Sequence, residues 1–222
     1  MIDILFEDES ILVCVKPSGT LSEHSESRLS LPRIIAQEAP APITLYTVHR
    51  LDKEVSGVMV YAKTQSAAKI LSDAVSSRQI KKEYLAIVEG IPKEDSGTLV
   101  DLLFKDSSKN RSYVVKRERK GVKKASLFYQ TLASKDSTSL VKIDLHTGRT
   151  HQIRVQFSSR GHSVLGDRKY GSKTKSNSIA LCSYRLEFSH PISKKLLSFS
   201  HIPTCDPLWH TYQKELSEIS EN

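Results

Sequence analysis

Nine consecutive residues of this chain bring together the side-chain types that acid–base or covalent chemistry needs: His49-Arg50-Leu51-Asp52-Lys53-Glu54-Val55-Ser56-Gly57. An apolar, β-rich run from Ile43 to Val48 leads in, and a second, Val58 to Tyr61, leads out. The pattern puts a basic residue, an acid, a hydroxyl and a glycine on a turn between two strands. Polar residues on such a turn are exposed and can be aimed by the scaffold beneath them. A carboxylate there can attack an electrophilic carbon or take up a proton. The plainer alternative is a polar turn whose aspartate closes a local side-chain-to-backbone bond.

Strands must carry that turn. Ile2–Phe6 and Ile11–Val15 read as short strands joined by Glu7-Asp8-Glu9-Ser10, and Lys16-Pro17-Ser18-Gly19 breaks the pattern. Leu21 to Ser30 is polar and serine-rich, which predicts a mobile loop. Leu31–Ala39 follows as a short helix, with Ser30 as its cap and Pro40 and Pro42 stopping it. Thr64 is placed to cap a second helix, Gln65–Arg78, in which Ala67, Ile70, Leu71, Ala74 and Val75 share one face. Tyr84–Glu89, Thr98–Phe104, Ser112–Lys116, Ala125–Leu132 and Leu140–Leu145 then read as consecutive strands with short polar connections, an antiparallel meander rather than βαβ units. Thr150 is placed to cap a short helix, His151–Arg160, that ends at Gly161. Ile179–Phe188 and Lys195–Ser200 are late strands, and Leu208–Ile219 a last helix whose acidic end frays, a tail from about residue 213 to 222.

The bounds agree with a soluble globular α+β protein. The chain has 222 residues, 38% of them hydrophobic, enough for one domain spanning residues 1–222 with a full core. It has no apolar run of bilayer length and no basic-then-apolar leader. Cys14, Cys182 and Cys205 have no paired spacing, which argues against a disulfide framework and for a reducing cytoplasm. His49, His146, His151, His162, His190 and His201 show no metal-ligand spacing, so no metal is expected. A net charge of +8 suits a polyanionic partner, because phosphate contacts release counterions. The stretch Lys116-Arg117-Glu118-Arg119-Lys120-Gly121-Val122-Lys123-Lys124 concentrates that charge, either as a solvated hairpin tip or as an RNA backbone contact. A monomer is the default oligomeric state.

Four stretches together resemble the pseudouridine synthases of the RluA family. His49–Gly57 resembles the family's HRLDxxxSG motif, and Lys16–Gly19 its early KPxG turn. Lys82-Glu83-Tyr84-Leu85-Ala86-Ile87-Val88-Glu89-Gly90 resembles its K-x-Y-x-A-x-V-x-G strand. Thr147-Gly148-Arg149-Thr150-His151-Gln152-Ile153-Arg154-Val155, with Gly161-His162, Leu165-Gly166-Asp167 and Tyr170-Gly171, follows the third motif almost letter for letter. One short motif would say little; four in order say much more.

The resemblance implies an RNA isomerase with the pseudouridine synthase catalytic fold: a curved, mainly antiparallel sheet flanked by helices, with a central basic cleft. Its reaction breaks the uridine N1–C1′ bond, turns the base and rejoins it through C5, with no redox change and so no nicotinamide or flavin. It implies Asp52 as nucleophile on a flipped-out uridine, Arg154 as the salt-bridge partner of that aspartate, and Tyr84 against the target base. Arg50 would enter the RNA stack vacated by the base, and Lys16, Arg149, His151 and Gln152 would serve RNA binding. The substrate would be ribosomal or transfer RNA. Relatives of this kind often carry a small S4-like RNA-binding domain ahead of the core; with a strand starting at Ile2, none is expected here. Three places depart from the pattern: Val55 for a usual threonine, Gln156 for a usual histidine, and Leu181-Cys182-Ser183 for Leu-His-Ala. Those departures and the basic hairpin leave a second reading, a non-catalytic RNA-binding or RNA-folding protein on the same fold. A carboxylate glycosidase is a third, but it needs an opposed second acid, and Glu54 is merely adjacent in sequence.

Overall fold

Stretches of β-branched residues separated by turn formers give this chain its strands, and two amphipathic segments before Lys81 give helices. The computed structural model describes residues 1–204 and 206–220, so Cys205 and the last two residues of the acidic end lie outside it. The first elements are β1 (Ile4–Glu7), β2 (Ile11–Lys16), α1 (Leu31–Glu38), β3 (Tyr46–Thr47), β4 (Ser56–Ala62) and α2 (Gln65–Ser76). Five strands follow: β5 (Lys81–Glu89), β6 (Ser96–Asp106), β7 (Arg111–Val115), β8 (Val122–Lys135) and β9 (Thr138–Asp144). Then come α3 (Gln152–Ser158), a 3-10 turn (Arg168–Tyr170), β10 (Leu181–Ser189), β11 (Leu196–Ser200), a second 3-10 turn (Pro207–Tyr212) and α4 (Gln213–Ser220). The chain is α+β, with few helices on mostly antiparallel strands. Among the described residues no helix is long and apolar enough to cross a membrane.

The chain divides into two compact units, Met1–Lys82 with Ser183–His201, and Glu83–Cys182 with the residues from Ile202 on. In the first, strands run in the order β1-β2-β4-β10, with β3 on β4 and β11 on β10. Ile11 lies opposite Ala62, Val13 opposite Val60 and Val15 opposite Val58, so that face of β2 and β4 is apolar throughout. Ile11, Val13, Val58, Val60, Leu186 and Phe188 meet Ala67 and Leu71 of α2 there. Thr64 caps α2 as its sequence position predicts, its hydroxyl oxygen accepting from Ala67 N–H at 3.2 Å. Ser30 does not cap α1 with its side chain. Its hydroxyl oxygen instead accepts from Ser25 N–H at 3.3 Å, inside the preceding loop. That loop is not the loose one predicted: Leu21 and Ser30 bridge, Leu21 N–H reaches Leu29 O at 3.0 Å, and Ser22 is buried.

The second unit is antiparallel throughout, but its order is β5-β9-β8-β6-β7 and not the meander expected from the sequence: the long β6 has both edges taken, by β7 and β8, so β5 adjoins β9 instead of β6. Leu85, Ile87, Leu127, Val141 and Ile143 are buried in it, and Phe157 of α3 stands edge-on to Tyr129 at 5.4 Å. The C-terminal segment is docked rather than frayed from residue 213. Tyr212 accepts from Lys135 N–H at 3.0 Å and donates to Thr138 O at 2.8 Å, and Leu216 of α4 is fully buried.

Gly57 shows how tightly β4 is packed. Its φ of +113° is strained for any L-residue, and a Cβ there would overlap the Ser183 carbonyl oxygen and lie 2.7 Å from the Ser183 nitrogen. Because both neighbours are backbone, neither can step aside. Gly57→Ala should therefore lower the unfolding free energy by about 3 kcal/mol or more, a combined overpacking and backbone cost. Urea unfolding checks this; a loss under about 1 kcal/mol would mean that β4 can shift.

Candidate active site

The Asp52 turn is held by the loop that precedes α1. Lys16, at the end of β2, is completely buried, and its ammonium donates to Pro17 O at 3.0 Å, Thr20 O at 2.8 Å and Lys53 O at 3.1 Å. Gly19 N–H reaches the same Lys53 carbonyl at 2.8 Å, and Ser18 donates to Glu54 O at 2.7 Å. Ser22 closes the other side, its hydroxyl donating to Leu51 O at 2.8 Å and accepting from Leu51 N–H at 3.0 Å. Tyr61 in turn fixes the Ser22 carbonyl at 2.8 Å. Within the turn, Val55 N–H bonds Asp52 O at 3.1 Å. Backbone on both sides of Asp52 is thus committed, while the residue itself remains half-exposed.

His49 anchors the turn from beneath. Its buried Nε2 accepts from Val60 N–H at 3.1 Å, which puts the ring proton on Nδ1, an atom with no partner. Burial, with the nearby Lys82 charge, holds the imidazole well below its usual range, so it stays neutral. Burial likewise brings the Lys16 amine down to about 8, against the opposing pull of Glu54 and Asp52. Arg50 is exposed and meets Glu23 at 3.0 Å across the turn, a pair that water screens.

Tyr84 and Arg154 belong to the second unit. Tyr84 lies on β5 opposite Ile143 and is buried. Arg154, on α3, is buried with Asp167, which takes Nε at 2.6 Å and Nη2 at 2.9 Å. This two-pronged contact fixes the plane of the guanidinium. One face of it covers the Tyr170 ring at 5.2 Å. Tyr170 is itself pinned, accepting from Ser112 N–H at 2.8 Å and lying 2.9 Å from His151 Nδ1.

Residues 10–159 match the family model described as RNA pseudouridylate synthase. The chain belongs to the RNA pseudouridylate synthase family.

The relatives agree. The synthase is 36% identical to the RNA pseudouridine synthase YhcT of Bacillus subtilis over 88% of its own length and 67% of that protein. It is 34% identical to the ribosomal large subunit pseudouridine synthase D of Zymomonas mobilis, over 89% of its own length and 68% of that protein. Its fold matches human RNA pseudouridylate synthase domain containing 1 with a TM-score of 0.75, at 23% identity, over 90% of this chain and 83% of that one. The synthase is accordingly an RNA-modifying isomerase.

Several residues singled out in the sequence occupy different environments from those expected of an RNA contact. Lys16 is internal. Gln152 is 3% exposed, its carbonyl oxygen accepting from Thr147 at 2.7 Å and Arg149 N–H at 3.1 Å, its amide donating to Ser126 O at 3.1 Å. His151 is buried too, and starts α3 in the left-handed conformation with φ 53°. Thr150 therefore does not cap that helix; the Gln152 amide gathers the preceding turn instead. Arg149 is half-buried, its Nε donating to Lys124 O at 3.1 Å.

The departures are accommodated by packing. Val55 is 3% exposed, where an apolar side chain is at home. Gln156 donates to Asp101 at 2.7 Å, and Asp101 also receives Arg160 at 2.9 Å. Cys182 is buried, and Ser183 donates to Val58 O at 3.2 Å. Ser22, His49, Asp167 and Tyr170 are the residues that motif reading left without a role. Asp167 and Tyr170 stood inside the quoted third motif, whereas nothing local distinguished Ser22 from its serine neighbours.

Lys16→Met removes the donor to three carbonyls, and stability should fall by about 3 kcal/mol at neutral pH. The pH dependence carries a distinct sign. Between about 8 and the ordinary 10.5 the unfolded chain holds a Lys16 proton that the folded chain lacks, so stability from this residue rises with pH there. Wild type unfolding at a pH between those values should take up about one proton more than Lys16→Met, readable from buffers of different ionisation enthalpy. Equal uptake would place the Lys16 amine in water. Asp167→Ala removes the two bonds that fix the buried Arg154 guanidinium and should cost about 3 kcal/mol in denaturant unfolding; an unchanged midpoint would show that the pair is dispensable.

Proposed function

We propose that this synthase isomerises specific uridines of ribosomal or transfer RNA, with Asp52 as the nucleophile toward a flipped-out uridine. The supporting observation is the strapped turn: Lys16, Ser18, Gly19 and Ser22 bind the backbone of residues 51–54, while Asp52 itself stays half-exposed. A carboxylate on so fixed a backbone loses little freedom on meeting its target, which is the positional part of catalysis. It must be ionised to attack. By either route the N1–C1′ bond breaks and a C1′–C5 bond forms, the C5 hydrogen leaves as a proton, N1 takes one up, and the Asp52 carboxylate is regenerated, so no external electron donor enters.

In this reading Arg154 is the ion-pair partner of the nucleophile, and Asp167 is the residue that orients it. Tyr84 lies against the target base, and Arg50 fills the stack that the base vacates, helping to offset the few kcal/mol of unstacking. Lys16, His151 and Gln152 act as positioning residues for the loops they tie. Arg149 serves the RNA through the turn it braces. The ribosomal part of the substrate class follows the similarity to the ribosomal large subunit synthase of Zymomonas mobilis.

RNA carrying tritium at uridine C5 should release label on incubation with the wild type. Asp52→Asn and Asp52→Ala should lower release by about a thousandfold or more, as losing a covalent nucleophile does, while RNA binding persists. Release by pure Asp52→Ala at the wild-type rate would refute the nucleophile. Mapping modified uridines in total RNA from cells with and without the protein identifies the substrate; RNA binding with no uridine altered would favour the non-catalytic reading.

A further inference from the structure

Among the described residues of the second unit, one half-buried arginine has no hydrogen-bond acceptor, although aromatic rings hold it in place. Arg111 opens β7, and its guanidinium lies 5.5 Å from the Tyr113 ring centre and 5.1 Å from that of Tyr170. Its Nε is buried and has no hydrogen-bond partner. The obvious acid is directly across the strand pair, since Asp106 stands in register with Arg111. Yet Oδ1 of Asp106 is turned into the hairpin, accepting from Ser108 N–H at 3.0 Å, Ser108 Oγ at 2.6 Å and Lys109 N–H at 3.2 Å. Every other described arginine that is buried or half-buried donates to an oxygen: Arg149 to Lys124 O, Arg154 to Asp167 and Arg185 to Ser198 and Glu187. Arg111 is the exception.

With Nε sealed off, the two Nη groups are the edge of the guanidinium that an outside acceptor can reach, and among the described residues no protein oxygen takes them. Two aromatic faces stabilise its charge and hold its plane, but a ring face cannot accept along the N–H directions as an oxygen does. The cradle is rigid. Tyr170 is tied at its hydroxyl to Ser112 and His151, its ring also meets Arg154, and Lys169 donates to Asn110 O at 2.9 Å, just before Arg111. Around it the chain is basic and exposed, with Lys105, Lys109, Lys116, Arg117, Arg119 and Lys120 on the strands and turns of the same hairpins. A mobile dianion such as free phosphate gains no purchase from a long basic surface; a polyphosphate backbone does.

We propose that Arg111 is an RNA-phosphate anchor: a planar fork held between Tyr113 and Tyr170 to take one backbone phosphate of the substrate. It is a binding and positioning residue, outside the set read as catalytic. The proposal deepens the RNA reading above and rests on it. Its place beside Tyr170, whose ring also meets Arg154, means that the phosphate registers the RNA against the element bearing that arginine.

The experiment measures wild type, Arg111→Gln, Arg111→Lys and Asp52→Ala by filter binding to total cellular RNA tritiated at uridine C5, across a series of KCl concentrations, with initial rates of label release alongside. Arg111→Gln should bind about tenfold more weakly and lose about 0.7–0.9 from the slope of log K against log salt, the share of one phosphate. KM should carry the loss, with kcat kept within about twofold. Arg111→Lys keeps the charge and should keep the slope, but it lacks the planar fork, so its affinity should fall between the two. An unchanged slope in Arg111→Gln, or a fallen kcat at constant KM, would make the cradle purely structural and overturn the anchor. Should Arg111→Gln fail to fold, Arg111→Lys decides: weakened binding at wild-type slope supports the fork, and wild-type affinity refutes it. Absence of release by the wild type, with the slope change intact, would sink the catalytic reading and leave the anchor standing.

Discussion

The ammonium of Lys16 sits away from water, and the carbonyl oxygens of Pro17, Thr20 and Lys53 stand in for its hydration. A buried cation is tolerable only with such a shell. Because one of the three oxygens belongs to the turn that carries Asp52, satisfying the cation also fixes that turn. Ser22 repeats the logic on the other flank, where one hydroxyl binds both polar groups of Leu51. The loop is therefore not a spacer between β2 and α1. It is the clamp that gives a two-strand connection the rigidity of the sheet.

The second unit solves a different problem with a related device. Arg154 on a short helix has several rotatable bonds, and a long side chain so placed would wander. Asp167 removes that freedom through two bonds, and Tyr170 covers one face of the guanidinium. A lysine could not be fixed this way, because an ammonium has neither the plane nor the fork. The same ring then faces Arg111, so one aromatic residue sets two guanidinium groups, one with an acid partner and one without.

Substitutions relative to the expected motifs show what such a scaffold tolerates. Val55 is buried against apolar surroundings, so losing a hydroxyl costs no hydrogen bond that the turn relies on. Gln156 exchanges an imidazole for an amide and spends it on Asp101, which also receives Arg160. Both are inward-facing changes that leave Asp52, Tyr84 and Arg154 in place.

Period and punctuation in the sequence were enough for the α+β class, the run of antiparallel strands, the Thr64 cap and the position of the Asp52 turn, because each depends on contacts between near neighbours in the chain. The strand order was not legible there, since pairing β5 with β9 joins segments that β6, β7 and β8 separate in the chain. The four motifs in order carried the family for the same reason: they are strings, and strings are local. Partners separated by long stretches of chain were not legible. Nothing near Lys16 says that its donors end on Lys53, nothing near Ser22 says that it will bind Leu51, and Ser30 and Thr150 look like caps until the loop and Gln152 compete for those groups. Burial turned Lys16, His151 and Gln152, which read as surface contacts, into internal braces. It also left Arg111 without an acceptor beside an aspartate that faces it across two strands. Sequence determines which polar groups exist and their local spacing; only the folded chain decides which of them find each other, since desolvation makes each buried group take the nearest partner that packing allows.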